Sequence, residues 1–281
     1  MSFPVAVQLY SVRDNMAEDF EGTIKKVKEM GYDGVEFAGL FDKSPAEVKR
    51  ICEDNGLVPV SAHVSYDVIA ADPEKVIGDY AKIGCKYIAI PYAVEERRPG
   101  AKLFDETVEG IRNFAKIAKK HGMTVLYHNH DFEFEKVNGV YSLDLLYSTL
   151  TPDELQTELD TCWVNVGGED PSEYVVKYSG RAPVVHLKDF VMNGKGAPEK
   201  LYDLIGIDDG AQEEEDDDDD GFAYRPVGYG CQDIPSILEA CKKAGTSWVV
   251  VEQDIFPCMK ERHGLQYKSA LWASQVLRYW D

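Results

Sequence analysis

Short apolar runs alternate with amphipathic segments along most of this chain. In four places an amphipathic segment passes through a glycine into an apolar run that ends in His, Asp or Glu. Glycine suits the end of a helix because it accepts a positive φ. Apolar runs without internal alternation are typical of strands buried on both faces, as in a parallel sheet connected by helices. The pattern predicts an α/β fold; the glycines are Gly31, Gly84, Gly122 and Gly245, with Gly56 as a weaker fifth.

Eight of the apolar runs are candidate strands, and eight strands close a (β/α)8 TIM barrel. The chain has 281 residues, and about 250 are typical of that fold. An open doubly wound sheet is the alternative, but the first run continues as QLYSVRD, without the glycine-rich phosphate turn that such a sheet normally carries. We therefore predict a single-domain TIM barrel. Its predicted strands are Val5–Tyr10, Gly34–Phe37, Val58–His63, Tyr87–Pro91, Val125–His130, Gln156–Leu159, Val184–Leu187 and Trp248–Glu252.

Amphipathic helices are predicted between these strands. Asp19–Met30 and Phe104–His121 each place apolar residues on one stripe. The pairs Ser44-Pro45 and Asp170-Pro171 resemble helix N-caps followed by proline at the first helical position. The stretch Gln266–Trp280 has the apolar spacing of a closing helix.

The composition indicates one domain that covers 1–281. Apolar residues make up 44% of the chain, and no linker separates two candidate cores. An insertion at about 191–231 contains the acidic run Glu213–Asp220. Charges packed so densely repel one another, so we expect a solvated loop. A calcium site is the alternative reading, but the spaced ligands and internal glycine of a calcium loop are missing.

Charge and hydropathy restrict the partners. The formal net charge is −20 at pH 7, which disfavours nucleic acid because such affinity is built mainly from Lys and Arg contacts to phosphate. No apolar run reaches the length of a membrane span, and the start MSFPVAVQLY lacks a basic signal-peptide region. We expect no membrane partner and a cytoplasmic location. The six cysteines form no CxxC pair and are expected to be reduced.

Ionisable residues collect at the predicted strand ends. Barrel enzymes build their active sites at this C-terminal face from several strands. Each residue alone has a structural explanation, such as a helix cap or an ion pair, but together they have the composition of a divalent-metal site. Oxygen and nitrogen ligands without thiolate suit Mn, Mg, Co or Fe at least as well as Zn, and manganese is our first expectation. The residues are Glu36, His63, His128, His130, Asp160, His186, Lys188, Asp189, Glu252 and Asp254.

Four motifs follow one another on successive predicted strands: YHNHDFEF, ELDTCWVNVGGEDP, VVHLKDF and VVVEQD. With QLYSVRD and GYDGVEF they make nearly the whole chain resemble the sugar phosphate isomerase/epimerase family of xylose isomerase-like barrels, which includes inosose dehydratase-like members. The resemblance implies a (β/α)8 barrel that holds one divalent metal ion. It also implies ligands from strands five to eight, commonly Glu, Asp, His and Glu.

Three of the implied ligands match residues of this chain, namely Asp160 of ELDT, His186 of VHLKD and Glu252 of VEQD. The fifth strand departs from the pattern, because it carries His128-Asn129-His130 where many relatives have Glu. We expect His128 to be the fourth ligand. His130 is an alternative, since period-two alternation points both side chains the same way, and Glu133 is a third option.

The resemblance also implies a chemistry. A metal that chelates the carbonyl and neighbouring hydroxyl of a keto-sugar stabilises the enediolate formed when the α-proton leaves. Glu252 is then the expected base, and Lys188 stabilises the oxyanion or protonates a leaving hydroxyl. Isomerisation, epimerisation and dehydration all stay open. Glu133 is a further catalytic candidate, and the residues expected to contact the substrate are His63, His130 and Glu36.

The expected substrate is an unphosphorylated sugar or polyol, because nothing in the chain clearly supplies a phosphate site. Two alternatives come from other classes of protein. An abasic-site endonuclease is disfavoured by the acidic charge. A non-catalytic sugar-binding barrel is favoured only by the departure on strand five. Barrels of this kind often pair, so a homodimer stays open.

Overall fold

The protein is described here by a computed structural model, in which residues 3–192 and 221–254, together with Ala270 and Ala273, are placed. The predicted acidic run Glu213–Asp220 lies outside the described residues, as does the predicted helix Gln266–Trp280 apart from Ala270 and Ala273, which are helical. The described strands are β1 Val5–Gln8, β2 Gly34–Phe37, β3 Val58–Ala62, β4 Tyr87–Ile90, β5 Thr124–His128, β6 Lys136–Val137, β7 Val140–Tyr141, β8 Gln156–Asp160, β9 Val184–Leu187, β10 Asp189–Met192, β11 Phe222–Arg225 and β12 Trp248–Val251.

Eight of these strands form one parallel sheet in the order β3-β2-β1-β12-β9-β8-β5-β4. Each strand therefore lies beside its predecessor in the barrel, and β12 returns to β1. The remaining gap between β3 and β4 is spanned by a parallel bridge between His63 and Ala89 and by a 2.9 Å hydrogen bond from Val64 N to Ala89 O. The predicted single TIM barrel fold is confirmed.

Helices connect the barrel strands and cover their outer face. Most of the buried apolar side chains lie between the helices and the outer face of the sheet. None of the helices in the described ranges combines the length and the apolar character needed to cross a bilayer. The helices are α1 Arg13–Glu18, α2 Phe20–Glu29, α3 Pro45–Asn55, α4 Tyr66–Ala71, α5 Pro73–Ile83, α6 Phe104–Lys120, α7 Ser142–Thr149, α8 Thr161–Val166, α9 Pro171–Lys177 and α10 Ile234–Ala244, with 3-10 turns at Leu9–Val12, Glu95–Arg97 and Phe132–Phe134.

Local polar contacts set several element ends that differ from the predicted ones. The strand predicted over Val5–Tyr10 stops at Gln8, because the Gln8 side chain accepts a 3.0 Å hydrogen bond from Tyr10 N and opens a 3-10 turn. The strand predicted over Val125–His130 stops at His128. Three helices do end at glycines as predicted, with φ of 61° at Gly56, 115° at Gly84 and 78° at Gly245.

The inside of the barrel changes from apolar to polar along the strands. A separate apolar cluster fills its lower part, with members on six strands: Ala6, Val60, Ala89, Leu126, Val184 and Val250. Side chains two residues apart in a strand point to the same face. Two residues beyond four of these apolar positions stand Gln8, His128, His186 and Glu252. The strand ends therefore aim polar groups into the barrel mouth, above an apolar floor.

Candidate metal centre

Four buried side chains converge at the C-terminal mouth of the barrel, and we call them the mouth cluster: His128, Asp160, His186 and Glu252. One ligand atom from each lies within 4.8 Å of the ligand atoms of the others. The closest pairs are His186 Nδ1 and Glu252 Oε2 at 3.1 Å, and His128 Nε2 and Asp160 Oδ2 at 3.7 Å. This is the ligand set that the sequence predicts, drawn from four neighbouring strands.

Hydrogen bonds to both its side chain and its backbone N–H hold Asp160 in place. Its Oδ1 accepts hydrogen bonds from Cys162 N at 2.8 Å and Trp163 N at 3.3 Å, and so caps α8. The side chain of Asn129, which directly follows β5, accepts a 3.0 Å hydrogen bond from Asp160 N. Oδ2 is buried and makes no hydrogen bond with any described residue. One carboxylate oxygen is thus structural, and the other is directed into the mouth cluster.

The ammonium of Lys188 adjoins the mouth cluster. Its Nζ lies 3.2 Å from Asp160 Oδ2, 3.0 Å from Glu252 Oε2 and 2.9 Å from Asp254 Oδ2. The side chain is almost fully buried, at 1% exposure. Lys188 is therefore paired with three carboxylates, two of which are predicted metal ligands.

Asp189, the neighbour of Lys188, has a structural role. Its carboxylate accepts hydrogen bonds from four backbone N–H groups, those of Phe190, Gly228, Gly230 and Gln232. These bonds tie β10 to the segment that follows β11.

A second group of side chains lies beneath the mouth cluster. Glu158 stands two residues before Asp160 on β8, and its Oε1 lies 2.5 Å from His63 Nε2, 3.3 Å from His186 Nε2 and 3.4 Å from His128 Nδ1. Glu36 Oε1 accepts a 2.7 Å hydrogen bond from Gln8 and lies 2.8 Å from His186 Nε2. Both carboxylates are fully buried.

These buried groups carry more negative than fixed positive charge. Lys188 is the single buried ammonium among the described residues, and it contacts three of the five carboxylates buried in these two groups. The five are Glu36, Glu158, Asp160, Glu252 and Asp254. Buried charge is costly unless it is paired. Asp160 Oδ2, which points into the mouth cluster, also lacks a hydrogen bond to any described residue. Two imidazoles and two carboxylates in this arrangement fit a divalent cation.

The imidazoles differ in their protonation. Burial and the neighbouring His186 and His63 lower the pKa of His128 well below its usual value, so its ring is neutral and able to ligate. Burial alone would lower the pKa of His63, but Glu36 and Glu158 outweigh it and raise the pKa to about 9. The same carboxylates outweigh burial at His186 and raise its pKa. His186 must release its proton to bind a metal.

Comparison with known proteins identifies the family. The family model described as xylose isomerase-like TIM barrel matches residues 24–273. This chain belongs to that family. It is 24% identical over 264 residues to the inosose dehydratase of Lacticaseibacillus casei, which covers 85% of this chain and 83% of the relative. The resemblance read from the motifs is thereby confirmed.

Solved structures agree on the fold. A sugar phosphate isomerase/epimerase from Parabacteroides distasonis ATCC 8503 superposes with a TM-score of 0.74 at 19% identity, covering 98% of this chain and 94% of its own. D-psicose 3-epimerase with D-tagatose from Clostridium cellulolyticum H10 has a TM-score of 0.69 at 14% identity and 99% coverage of each chain.

Other predicted site residues of this xylose isomerase-like barrel lie outside the mouth cluster. His130 stacks on Phe132, with ring centroids 5.3 Å apart, and lies 5.4 Å from the Trp163 ring. Glu133 lies against the outer side of β5, where Oε1 accepts a 2.5 Å hydrogen bond from Tyr127 and Oε2 a 2.7 Å bond from His130 N. Burial raises the pKa of Glu133 to about 8.

Glu158 was not among the site residues that the sequence predicts. The signal was present, because Glu158 and Asp160 are two residues apart in QTELD and so point to the same face of β8. Asp254 was noted as a strand-end acid but was given no role, and the structure pairs it with Lys188.

Proposed function

We propose that this protein is a metal-dependent enzyme that removes the proton next to the carbonyl of a keto-sugar or inosose. The observation that carries the proposal is the convergence of His128, Asp160, His186 and Glu252 within 4.8 Å beside the Lys188 ammonium. The relatives agree with it in kind, since their names describe a dehydratase of an inosose and an epimerase of a keto-sugar.

The mouth cluster would hold one divalent cation, with manganese as the first choice. When bound, such a cation supplies Lewis-acid polarisation of the substrate carbonyl and its neighbouring hydroxyl. Two carboxylates make the donor set hard enough for Mn²⁺, and the two imidazoles add affinity. Asp160 needs no rearrangement for this role, because α8 already fixes its other oxygen.

Glu252 is the proposed base. Burial would raise the pKa of Glu252, but Lys188 and His186 outweigh it and hold the pKa well below its usual value. The carboxylate is therefore ionised and able to accept a proton from the substrate. Delivery of a proton by a second group to the opposite face of the same carbon gives an epimer, and transfer of the abstracted proton to the neighbouring carbon gives an isomer.

Lys188 is the proposed electrostatic partner of the base. Burial would lower the pKa of Lys188, but Asp160, Asp254 and Glu252 outweigh it and raise the pKa well above its usual value. The ammonium thus stays charged next to the oxyanion that develops when the proton leaves. If the substrate carries a hydroxyl β to the carbonyl, the same group can donate a proton as that hydroxyl departs. This second role favours dehydration, in line with the inosose dehydratase relatives.

An aromatic wall beside Lys188 is the proposed support for the apolar face of the sugar ring. The Trp163 ring centroid lies 5.2 Å from Lys188 Nζ, and the indole stacks parallel to Phe222, which in turn stacks on Phe190. His130 adds a ring nitrogen next to this wall. His63, with 12% of its side chain exposed, is a further proposed substrate contact.

Glu36 and Glu133 receive positioning roles in the proposal instead of contact with the substrate. Glu36 is buried beneath His63 and His186, and Glu133 anchors the turn after β5 through His130 N. The cytoplasmic location, the homodimer and the identity of the metal stay predictions.

Exchange of solvent deuterium into a panel of keto-sugars and inososes, followed by NMR with Mn²⁺ present, tests the proposal. We expect loss of the proton signal at one carbon next to the carbonyl of the true substrate, together with an epimer, an isomer or a dehydrated product. Glu252→Gln should abolish exchange, whereas Glu239→Gln on the exposed face of α10 should not. Wild-type protein with one bound metal and no exchange into any member of the panel would contradict the proposal. Protein that binds these sugars but no metal would instead indicate a sugar-binding barrel.

A further inference from the structure

Three imidazoles and one carboxylate surround a second position below the mouth cluster, and we call them the deep cluster: His63, His128, Glu158 and His186. Their ligand atoms lie within 4.8 Å of one another. The carboxylate is at the centre of the contacts, since Glu158 Oε1 is 2.5 Å from His63 Nε2, 3.3 Å from His186 Nε2 and 3.4 Å from His128 Nδ1.

The deep cluster has an unused ligand atom. His128 Nδ1 is buried and makes no hydrogen bond within the part of the chain that the structure describes. His186 Nε2 has a carboxylate neighbour, since it lies 2.8 Å from Glu36 Oε1. Both rings are at most 2% exposed. Buried polar atoms are normally paired, so a nitrogen left as His128 Nδ1 is indicates a missing partner.

The geometry and the donor types fit zinc. Four donors at Zn–N distances of 2.0–2.1 Å in a tetrahedron lie about 3.3 Å apart. The distances from Glu158 Oε1 to His186 Nε2 and His128 Nδ1 are 3.3 Å and 3.4 Å. The distance to His63 Nε2 is 2.5 Å, a hydrogen bond that a bound ion would replace. Three nitrogens and one oxygen form a softer set than the two nitrogens and two oxygens of the mouth cluster, which favours Zn²⁺ over Mn²⁺.

The two clusters use opposite nitrogens of the same two rings. His128 presents Nδ1 to Glu158 and Nε2 to Asp160, and His186 presents Nε2 to Glu158 and Nδ1 to Glu252. A neutral imidazole has one nitrogen with a free lone pair, while the other carries a proton. Each ring can therefore serve one cluster at a time.

We propose that the deep cluster is a zinc site whose occupation excludes a metal from the mouth cluster. Zinc in this position would be enclosed by four protein ligands, which is the arrangement of structural zinc sites and leaves no place for substrate. It would also turn the lone pairs of His128 and His186 away from the mouth cluster, so zinc would inhibit the enzyme while manganese supports it. Zinc binding itself does not depend on the proposed function, but the exclusion rests on the metal position assigned there.

Metal titrations of metal-free protein test this proposal, with Zn²⁺ alone and Mn²⁺ alone followed by calorimetry. We expect one zinc per chain, and at least a tenfold loss of zinc affinity in both His63→Ala and Glu158→Gln, with Mn²⁺ affinity changed by less than that. Asp160→Asn should show the reverse. His121→Ala, which removes a partly exposed surface histidine, is the control and should change neither affinity.

Cobalt provides a readout that needs no variant. Co²⁺ in the deep cluster should show the strong visible absorption of four-coordinate cobalt, and added Zn²⁺ should remove it.

Zinc affinity unchanged in both His63→Ala and Glu158→Gln would overturn the site, and two metals bound at once would overturn the exclusion. If Mn²⁺ binding requires Asp160 but zinc affinity is unchanged in His63→Ala, the proposed function is supported and the zinc site is refuted. If zinc depends on His63 and manganese never binds, the deep cluster stands and the proposed function fails.

Discussion

Lys188 Nζ lies 3.0 Å from Glu252 Oε2. The ammonium therefore forms an ion pair with the carboxylate that we propose as both metal ligand and catalytic base. The same ammonium also contacts Asp160 and Asp254. Lys188 therefore offsets part of the buried negative charge and weakens the attraction of the mouth cluster for a second cation. It also keeps a positive charge at the position where substrate charge would develop.

Replacement of Lys188 by methionine should separate metal binding from turnover. The variant keeps most of the aliphatic chain but loses the ammonium. We expect Mn²⁺ to bind at least as tightly as in the wild type, while kcat falls roughly 10²- to 10⁴-fold. Calorimetry gives the first quantity and steady-state kinetics the second. Lys242→Met, at an exposed ion pair on α10, should leave both unchanged. Loss of metal in Lys188→Met would show that the ligand shell is wrongly assigned.

Much of the fold was predictable because the parallel strands are buried on both faces. Such strands appear in the sequence as apolar runs, and the helix ends between them are marked by glycines such as Gly84 and Gly245. The exact strand ends were less predictable. The termination at Gln8 depends on a side chain that bonds back to Tyr10 N, and apolar patterning carries no signal for that contact.

The candidate site was predictable where strand ends alone define it. His128, Asp160, His186 and Glu252 are the inward residues at four such ends. Glu158 was missed although it shares one face of β8 with Asp160. An acid at this buried position is tolerated because imidazoles from other parts of the chain pair with it, and that pairing is a tertiary property. Glu133 was a site candidate because of the family resemblance, but the 3-10 turn carries its carboxylate back to Tyr127.

The buried carboxyl of Glu133 should make stability depend on pH. Its pKa rises from 4.5 to about 8 in the folded protein because of burial. Between these values the folded state holds a proton that the unfolded state has lost, so stability falls as pH rises, by on the order of 1.4 kcal/mol for each pH unit. Glu133→Gln cannot ionise and should lose this contribution. Urea denaturation at intervals from pH 5 to pH 9 measures the two slopes.

The exposed neighbour Glu135 provides the control for that experiment. Glu135→Gln should keep the wild-type slope. If Glu133→Gln and the wild type lose stability in parallel over this pH range, the carboxyl of Glu133 is not protonated in the folded protein.

The close packing at Gly34 should make the lower end of the barrel sensitive to a single methyl group. A Cβ on Gly34 would lie 2.7 Å from Val60 Cγ2 and 2.8 Å from the carbonyl oxygen of Val58. We expect Gly34→Ala to lower the free energy of unfolding by about 1–3 kcal/mol. Gly78→Ala within α5 is the matched control, because its Cβ would meet nothing closer than 3.7 Å. It should stabilise the protein by roughly 0.5–1 kcal/mol, and a similar loss in both variants would contradict the prediction.

The variant His130→Phe tests which histidine of the HNH motif is a ligand. Phenylalanine keeps the stacking on Phe132 and Trp163 but has no ring nitrogen. We expect the metal to be retained and KM for the substrate to rise by roughly tenfold, the cost of about 1.4 kcal/mol for a lost hydrogen bond. Metal analysis and kinetics measure the two effects. Complete loss of metal would make His130 the ligand on strand five in place of His128.

The most direct test of the central claim is calorimetric titration of Mn²⁺ into metal-free wild-type protein, Asp160→Asn and Glu252→Gln, with circular dichroism to check the fold. Asparagine at 160 keeps an acceptor for Cys162 N, so α8 should stay capped. We predict one Mn²⁺ per wild-type chain and an affinity at least about 100-fold weaker in each variant. Folded variants that bind Mn²⁺ as tightly as the wild type would contradict the account, because the metal would then be held elsewhere.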